Sequence, residues 1–380
     1  METLTDMKNS KLKALVFSDV HLYHDKTKTE HIVRGLFRAL PDSERMRDID
    51  IIFISGDLFD HEVFMPHHDS THVIRFIYHL LNLCSKYDIV LRILEGTPGH
   101  DWKQAKLVID INNNLPNPVD AKHATTLSIE HIERFGIDVL YVPDEWGTSC
   151  SNTFLEVREL LDAHNLEKVD LAIMHGCFNY QFPVNLVGKP DVHNESSYLD
   201  ITRYFIIIGH YHTHSTYERI IVPGSFDRLK HGEEEPKGYL EFTIYDTGAY
   251  DYTFIENPDA MIHKTFDCSD TEVGEVVKHI ARYLNGSQEE CFIRIMANKE
   301  DAIYSGMKEL KAIFPFVNFT VTLKDRSKTK DKMVSETQDI VRPSSLLAEN
   351  IIELMRARVE SRYPEYVDEY IDLLKGVINE

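Results

Sequence analysis

Short apolar runs, each bounded by Gly, Pro or Asp, recur along the chain up to about residue 254. Residues 12–18, 49–55, 89–94, 139–142, 171–174, 205–208, 219–222 and 239–244 are rich in Ile, Val and Phe, which predicts buried strands. Stretches with helical spacing lie between them. The clearest covers 72–86, where Val73, Phe76, Ile77, Leu80, Leu81 and Cys84 define one face. From 255 to 325 the rhythm changes. A helix over 272–284, a strand over 292–296, a helix over 299–313 and a strand over 318–323 outline a compact second α/β unit.

The segment from Lys324 to Lys332 carries five basic and two acidic residues, and it reads as a solvated linker more readily than as a DNA contact. Two amphipathic helices are predicted beyond it. Leu347, Ile351, Leu354 and Met355 line the first, after a Ser344-Ser345 start signal; Tyr366, Val367, Tyr370, Ile371 and Leu374 line the second. The expected organisation is a main domain over 1–254, a capping domain over 255–325, a linker over 326–343 and a helical tail over 344–380.

Composition narrows the class. Across 380 residues no apolar run approaches the ~20 residues that a membrane span needs. The polar, mixed-charge start does not read as a signal peptide. Five scattered cysteines without a CxxC pair fit a reducing compartment, so a cytoplasmic location is expected. The net charge of −21 argues against a chain that grips nucleic acid by itself, because phosphate neutralisation needs a basic face. Any affinity for DNA would come from bound divalent ions, a local basic strip or a partner protein.

The candidate chemistry lies directly after the apolar strands. Ser18-Asp19-Val20-His21 follows the first, Ser55-Gly56-Asp57 the second and Gly96-Thr97-Pro98-Gly99-His100-Asp101 the third. Met174-His175-Gly176 and Gly209-His210-Tyr211-His212 end later ones. Strand ends on one sheet edge converge on a crevice, where loops aim side chains inward. On extended backbone, residues i and i+2 point to the same side, so Asp19 with His21, and His210 with His212, are each expected to offer two donors together. Mixed imidazole and carboxylate donors suit Mn2+, Fe or Zn2+ better than Ca2+ or Mg2+ alone. One carboxylate shared by two ions would hold them ~3.5–4 Å apart, the separation used for in-line attack on phosphorus. A lone Asp-x-His has little weight; five such motifs in one order, each after a strand, have a great deal.

This order of DxH, GD, a His-Asp after a Gly-rich turn, His and GHxH resembles that of the calcineurin-like metallophosphoesterases. The stretch from Pro223 to Tyr239, a PGS turn followed by an Arg, a Gly-Glu and a Lys-Gly, is similar to the SbcD-type nuclease branch, as is Gly56-Asp57-Leu58-Phe59-Asp60. The metal motifs span 19–212, the branch motif reaches 239, and the last 140 residues match only in layout. The resemblance implies an α/β fold, a four-layer α/β/β/α sandwich with a small α/β capping domain and a C-terminal helical tail. It implies two divalent ions, Mn2+ foremost. Asp19, His21, Asp57 and His212 would hold one; Asp57 again, with His175 and His210, would hold the other, with a nucleophilic water between them. His100 would stabilise the phosphorus or protonate the leaving oxygen, and Asp101 would orient the His100 ring. The same resemblance implies exonuclease and endonuclease activity on DNA, in repair, recombination or replication. The partner would be an SbcC-type SMC-like ATPase bound by the C-terminal helices, and a homodimer is compatible with this.

Two positions depart from the family pattern. Gly99 stands where the family has an Asn ligand, so the second ion lacks one donor unless water, a backbone carbonyl or Thr97 supplies it. Asp60 stands where some relatives carry a DNA-positioning His. Three other readings stay open on the residues: a small-molecule or cyclic-nucleotide phosphodiesterase, a protein phosphatase, and a non-catalytic scaffold subunit. Glu233-Glu234-Glu235 reads as a solvated turn. His24, His61, His67, His68, His72, His79 and His214 read as surface or core residues rather than ligands.

Overall fold

The structure, a computed structural model, describes residues 10–63, 67–144, 147–183 and 190–324. The expected linker and helical tail, 326–380, lie outside the described residues, as does the 324–332 strip beyond Lys324. Apart from Pro190 and Asp191, the described residues belong to one compact unit.

Every strand expected from the apolar runs forms. The first half of the chain runs through β1 (Ser10–Phe17), α1 (Thr29–Ala39), β2 (Ile51–Ser55), α2 (Ser70–Tyr87), β3 (Val90–Leu94), α3 (Pro98–Asp101), α4 (Lys106–Asn113) and β4 (Ala121–Ala124). It continues with β5 (Ser128–Ile132), β6 (Ile137–Val142), α5 (Cys150–Ala163), β7 (Val169–His175), α6 (Glu195–Ile201) and β8 (Thr202–Gly209). Then come β9 (Ser215–Tyr217), β10 (Ile220–Val222), β11 (Gly238–Tyr245) and β12 (Tyr250–Glu256). The last described segment holds β13 (His263–Asp267), α7 (Val273–Leu284), β14 (Cys291–Ala297), α8 (Ile303–Ile313) and β15 (Val317–Leu323).

The result is a mixed α/β architecture built on two six-stranded sheets, in the orders β12-β11-β1-β2-β3-β4 and β5-β6-β7-β8-β10-β9. Alternation along each strand sends neighbouring residues to opposite cores. Ala14 and Val16 of β1 and Phe53 of β2 join Tyr141, Leu171, Ile173 and Phe205 in a core shared by the two sheets. Leu15 and Phe17 point the other way, onto Ile32 and Leu36 of α1 and Phe76 and Leu80 of α2. The second sheet sends Leu140, Ala172 and Ile206 to its far side, against Val157 and Leu161 of α5 and Tyr198 of α6. Burial on both faces is why β2 reads as an apolar run, and why the one charge in β3, Arg92, is paired with Asp120 and Glu130. β13, β14 and β15 form a third, parallel sheet with its own core, closed by Val276 and Ile280 of α7 and Leu310 of α8.

What matters for the site is direction. β1, β2, β3 and β4 are parallel, and so are β6, β7, β8 and β10, so their carboxyl ends share an edge within each sheet.

Candidate metal centre

The segments after β1, β2, β3, β7 and β8 meet at that edge. Asp19 N–H donates to the Gly56 carbonyl and His21 N–H to that of Asp57, both at 3.1 Å, which ties the first two loops together. Gly56 makes the approach of β7 possible. Its φ is +91°, and a Cβ there would sit 2.1 Å from His175 Nδ1. Gly96 plays the same part for the third loop, since its Cβ would fall 2.2 Å from the Asp57 nitrogen.

The six expected ligands come together in two groups. Asp19, His21 and His212 form one, and Asp57, His175 and His210 the other, each with its donor atoms within 4.8 Å of one another. Asp57 joins them: its Oδ2 lies 3.8 Å from His21 Nε2 and 3.3 Å from His175 Nε2. Asp19 and His21 do offer their donors to one group, as expected, but not through extended backbone, and the second pair is divided. Asp19, His21, Asp57 and His210 have φ of 48°, 52°, 50° and 98°, and His210 and His212 go to different groups. Left-handed backbone at four non-glycine positions in one place is costly, and it persists only where the surroundings hold it.

Hydrogen bonds on the outer side of the rings fix which nitrogen faces inward. His21 Nδ1 bonds Asp60 Oδ1 at 3.1 Å, His212 Nδ1 bonds Glu233 Oε1 at 2.8 Å, and His175 Nδ1 bonds the Ser55 carbonyl at 2.8 Å. Acceptors on the outside leave Nδ1 of each ring as the donor, so Nε2 points inward with a lone pair. The Nε2 atoms of His21 and His212 stand 3.2 Å apart. Two lone pairs at that distance repel unless a proton or a metal ion lies between them. With the carboxylates of Asp19 and Asp57 alongside, this donor set fits a metal ion, and these buried His and Asp groups can hold one.

The electrostatics agree. Burial opposes charge on His21, but its bond to Asp60 and the fields of Asp57 and Asp19 outweigh it and raise the pKa to about 9. Burial also opposes charge on His175, yet Asp57 raises it well above the ordinary value. Asp57 is desolvated too, and His175 and His21 hold it below the usual carboxylate range. Positive charge is thus favoured on His21 and His175, whereas burial lowers the pKa of His210.

Thr97 faces the second group. Its hydroxyl lies 3.2 Å from Asp57 Oδ2, 3.4 Å from His175 Nε2 and 3.2 Å from His210 Nδ1, and it is fully buried. His100 sits beside His21, with ring centres 4.9 Å apart. The expectation that Asp101 orients the His100 ring is corrected. His100 Nδ1 bonds the Asp60 carbonyl, while the Asp101 carboxylate accepts the backbone N–H groups of Asp57 (3.1 Å), Phe59 (2.9 Å) and Gly96 (2.8 Å). Asp101 is therefore a clamp on two loops. Burial and the nearby charge of Asp57 push its pKa up to about 7.

Two groups around the cluster were not legible as partners. Glu233, expected in a solvated turn, is 5 % exposed and holds His212. Burial opposes its ionisation, but His212 and Lys237 hold its pKa well below the usual range. Asp60 supplies its carboxylate to His21 and its carbonyl to His100. The sequence held no signal for this role of Glu233; burial of Lys237, four residues on and 3.7 Å away, shows only in the structure.

No family model matches the chain, and no curated protein matches it. One solved crystal structure is similar over 64 % of this chain and 99 % of its own, at 13 % identity and a TM-score of 0.37, a likeness too low to carry an argument. Among the described residues no helix is long and apolar enough to cross a membrane.

Proposed function

We propose that this chain is a two-metal DNA nuclease of the calcineurin-like metallophosphoesterase superfamily, the SbcD-type subunit of a double-strand-break-repair complex. Its fold is read as the four-layer α/β/β/α sandwich of that superfamily, with β13 to β15, α7 and α8 as the capping domain. The observation that carries the reading is Asp57 Oδ2, 3.8 Å from His21 Nε2 and 3.3 Å from His175 Nε2, so that one carboxylate serves both donor groups. Asp19, His21, Asp57 and His212 would hold one ion; Asp57, His175, His210 and the Thr97 hydroxyl would hold the other, with Mn2+ the expected metal. Bound there, such ions supply Lewis-acid polarisation of a phosphoryl oxygen and acidify water for attack at neutral pH.

The chain's own residues orient and move protons. Asp60, Glu233 and the Ser55 carbonyl keep three imidazoles turned inward. His100 donates Nδ1–H to the Asp60 carbonyl, so that only a second proton taken up at Nε2, making the ring an imidazolium, would be available for the departing oxygen, and giving it up returns the ring to its neutral form. Asp101 holds the loops that carry Asp57 and Gly96. An SbcC-type ATPase recruited through residues 344–380 would supply the grip on DNA that a charge of −21 denies this chain.

The test is elemental analysis with a Mn2+-dependent assay on linear duplex DNA and on bis-p-nitrophenyl phosphate, with and without the co-expressed ATPase. About two ions per chain and metal-dependent DNA cleavage are expected. Turnover of the small diester alone would favour a small-molecule phosphodiesterase, and a metal-free, inactive chain a scaffold. His100→Ala should cost about 10²–10⁴-fold in rate with metal content unchanged. Full activity in that variant would remove His100 from the mechanism.

A further inference from the structure

The turn that carries His100 ends on a strained, exposed aromatic. After α3 (Pro98–Asp101), Trp102 and Lys103 are both left-handed, with φ of 46° and 58°. Asp and Asn tolerate that region, but a bulky side chain there is an outlier. The chain shows the ordinary choice elsewhere: α2 and α7 also end on a left-handed residue, and there it is Asp88 and Asn285. Tyr23, which is left-handed too, buries its ring against Phe59. Trp102 does not. The surroundings hold its backbone in place: the Glu95 carboxylate accepts the Lys103 N–H at 2.7 Å, and the Asp101 carbonyl accepts the Gln104 N–H at 2.7 Å. None of these bonds needs an indole at position 102.

Trp102 is 54 % exposed, the largest of the exposed apolar side chains among the described residues. Its Nε1–H donates to the Gly99 carbonyl at 3.1 Å, which folds the ring back along the turn and restrains it there. Gly99 precedes His100, whose ring centre lies 4.9 Å from that of His21. Along this turn Thr97 and Asp101 are buried, while Pro98, Gly99 and Trp102 are exposed. The turn therefore runs from the metal ligands to solvent, and the indole is held at the rim of the candidate centre. A strained backbone that keeps a large apolar ring in water, beside the reacting groups, points to a use for the ring.

We propose that Trp102 is a base-stacking platform: an unpaired DNA base next to the scissile phosphate lies on its indole. This rests on the nuclease reading above and names the part of the substrate that the site grips. Stacking suits the chain for an electrostatic reason. At a net charge of −21 it repels phosphates that no bound ion neutralises, whereas the face of a base carries no net charge and stacks whatever the sequence. A base inside a duplex is covered on both faces, and unstacking it is costly. Single-stranded or frayed ends are therefore the preferred substrate.

The experiment combines kinetics with fluorescence. On a short single-stranded oligothymidylate with Mn2+, Trp102→Ala should raise KM by about 5–150-fold, with the loss in KM rather than in kcat. Trp102→Phe keeps an aromatic face but lacks the N–H, and it should recover most of the loss. Trp102→Gly relieves the backbone and should behave like Trp102→Ala. An unchanged KM in Trp102→Ala overturns the proposal, because the ring is then idle. Trp102→Phe as poor as Trp102→Ala also overturns it, because the indole then serves only to cap Gly99. The chain has two tryptophans, so in a Trp146→Phe background Trp102 is the one indole left. The same oligonucleotide, with Ca2+ in place of Mn2+, should quench its fluorescence, and no quenching likewise overturns the proposal. If the parent chain cleaves no DNA the nuclease reading fails, and quenching alone then decides whether a base contacts Trp102.

Discussion

Replacing Glu233 by Gln asks whether this residue is a buried partner of His212 or a bystander in a turn. Its Oε1 accepts from His212 Nδ1 at 2.8 Å, its Oε2 accepts the Leu229 N–H at 2.9 Å, and Lys237 Nζ lies 3.7 Å away. Gln has the same size but can accept at one end only. Its amide nitrogen must face either the imidazole N–H or the Leu229 N–H, donor against donor. Lys237, itself 1 % exposed, loses one of two carboxylates and keeps Glu235 at 2.7 Å and the His212 carbonyl at 2.8 Å. Losing a charge-assisted hydrogen bond costs ~1.5–3 kcal/mol, and breaking a buried pair outright ~3–5 kcal/mol. Since Lys237 retains Glu235, about 2–3 kcal/mol is expected. Urea unfolding in EDTA isolates that loss from any metal effect. A second consequence is separate: without its outer acceptor His212 is free to turn, and Mn2+ affinity should drop about 10–100-fold by calorimetry. A variant as stable as the parent in EDTA would refute the buried-pair reasoning. Undiminished metal affinity would take His212 out of the ligand set.

Three further outcomes are expected. Thr97→Val keeps the shape of a fully buried side chain but removes the hydroxyl that bonds Asp57; the weaker of two Mn2+ affinities should fall by about ten-fold or more, and two unchanged isotherms would show that Thr97 is not a donor. Asp227 is buried with Oδ2 lacking a hydrogen bond, 3.5 Å from His31 Nε2, and burial pushes its pKa up to about 7. The folded chain thus keeps a proton that the unfolded chain releases near pH ~4, so this group's contribution to stability declines as pH rises from there through 7. Asp227→Asn should remove a loss of up to roughly 4 kcal/mol and be the more stable form at pH 8; parallel stability–pH curves would contradict this. Gly96→Ala places a Cβ against the Asp57 amide, which cannot yield as a side chain could. It should cost several kcal/mol, on the order of ~3, and disrupt metal binding, and a native melting curve with full metal content would count against the packing argument.

The expected strands that formed are almost all interior ones. β4, β5, β9, β12 and β13 escaped notice, and each is the outer strand of its sheet. Ala-Lys-His-Ala in β4 and Tyr-Asp-Tyr-Thr in β12 have no apolar signature, because an outer strand is half exposed and owes its existence to a neighbour's hydrogen bonds. The same division holds in the site. Asp19, His21, Asp57, His175, His210 and His212 announced themselves by type and by following an apolar strand. The roles of Asp60, Glu233 and Asp101 did not, and Asp101 was matched to the wrong partner; Thr97 stood in the sequence only as one of three possible substitutes for a missing donor.

Residue type and spacing are local properties, and they suffice to name buried strands and the donors at their ends. Which imidazole joins which group, which carboxylate turns its ring, and which hydroxyl faces the second group depend on atoms 21 to 191 positions apart, as between His212 and Glu233 or His21 and His212. Those pairings come from strand order and burial. Packing decides them, because a polar group removed from water takes whatever partner the fold has brought within reach.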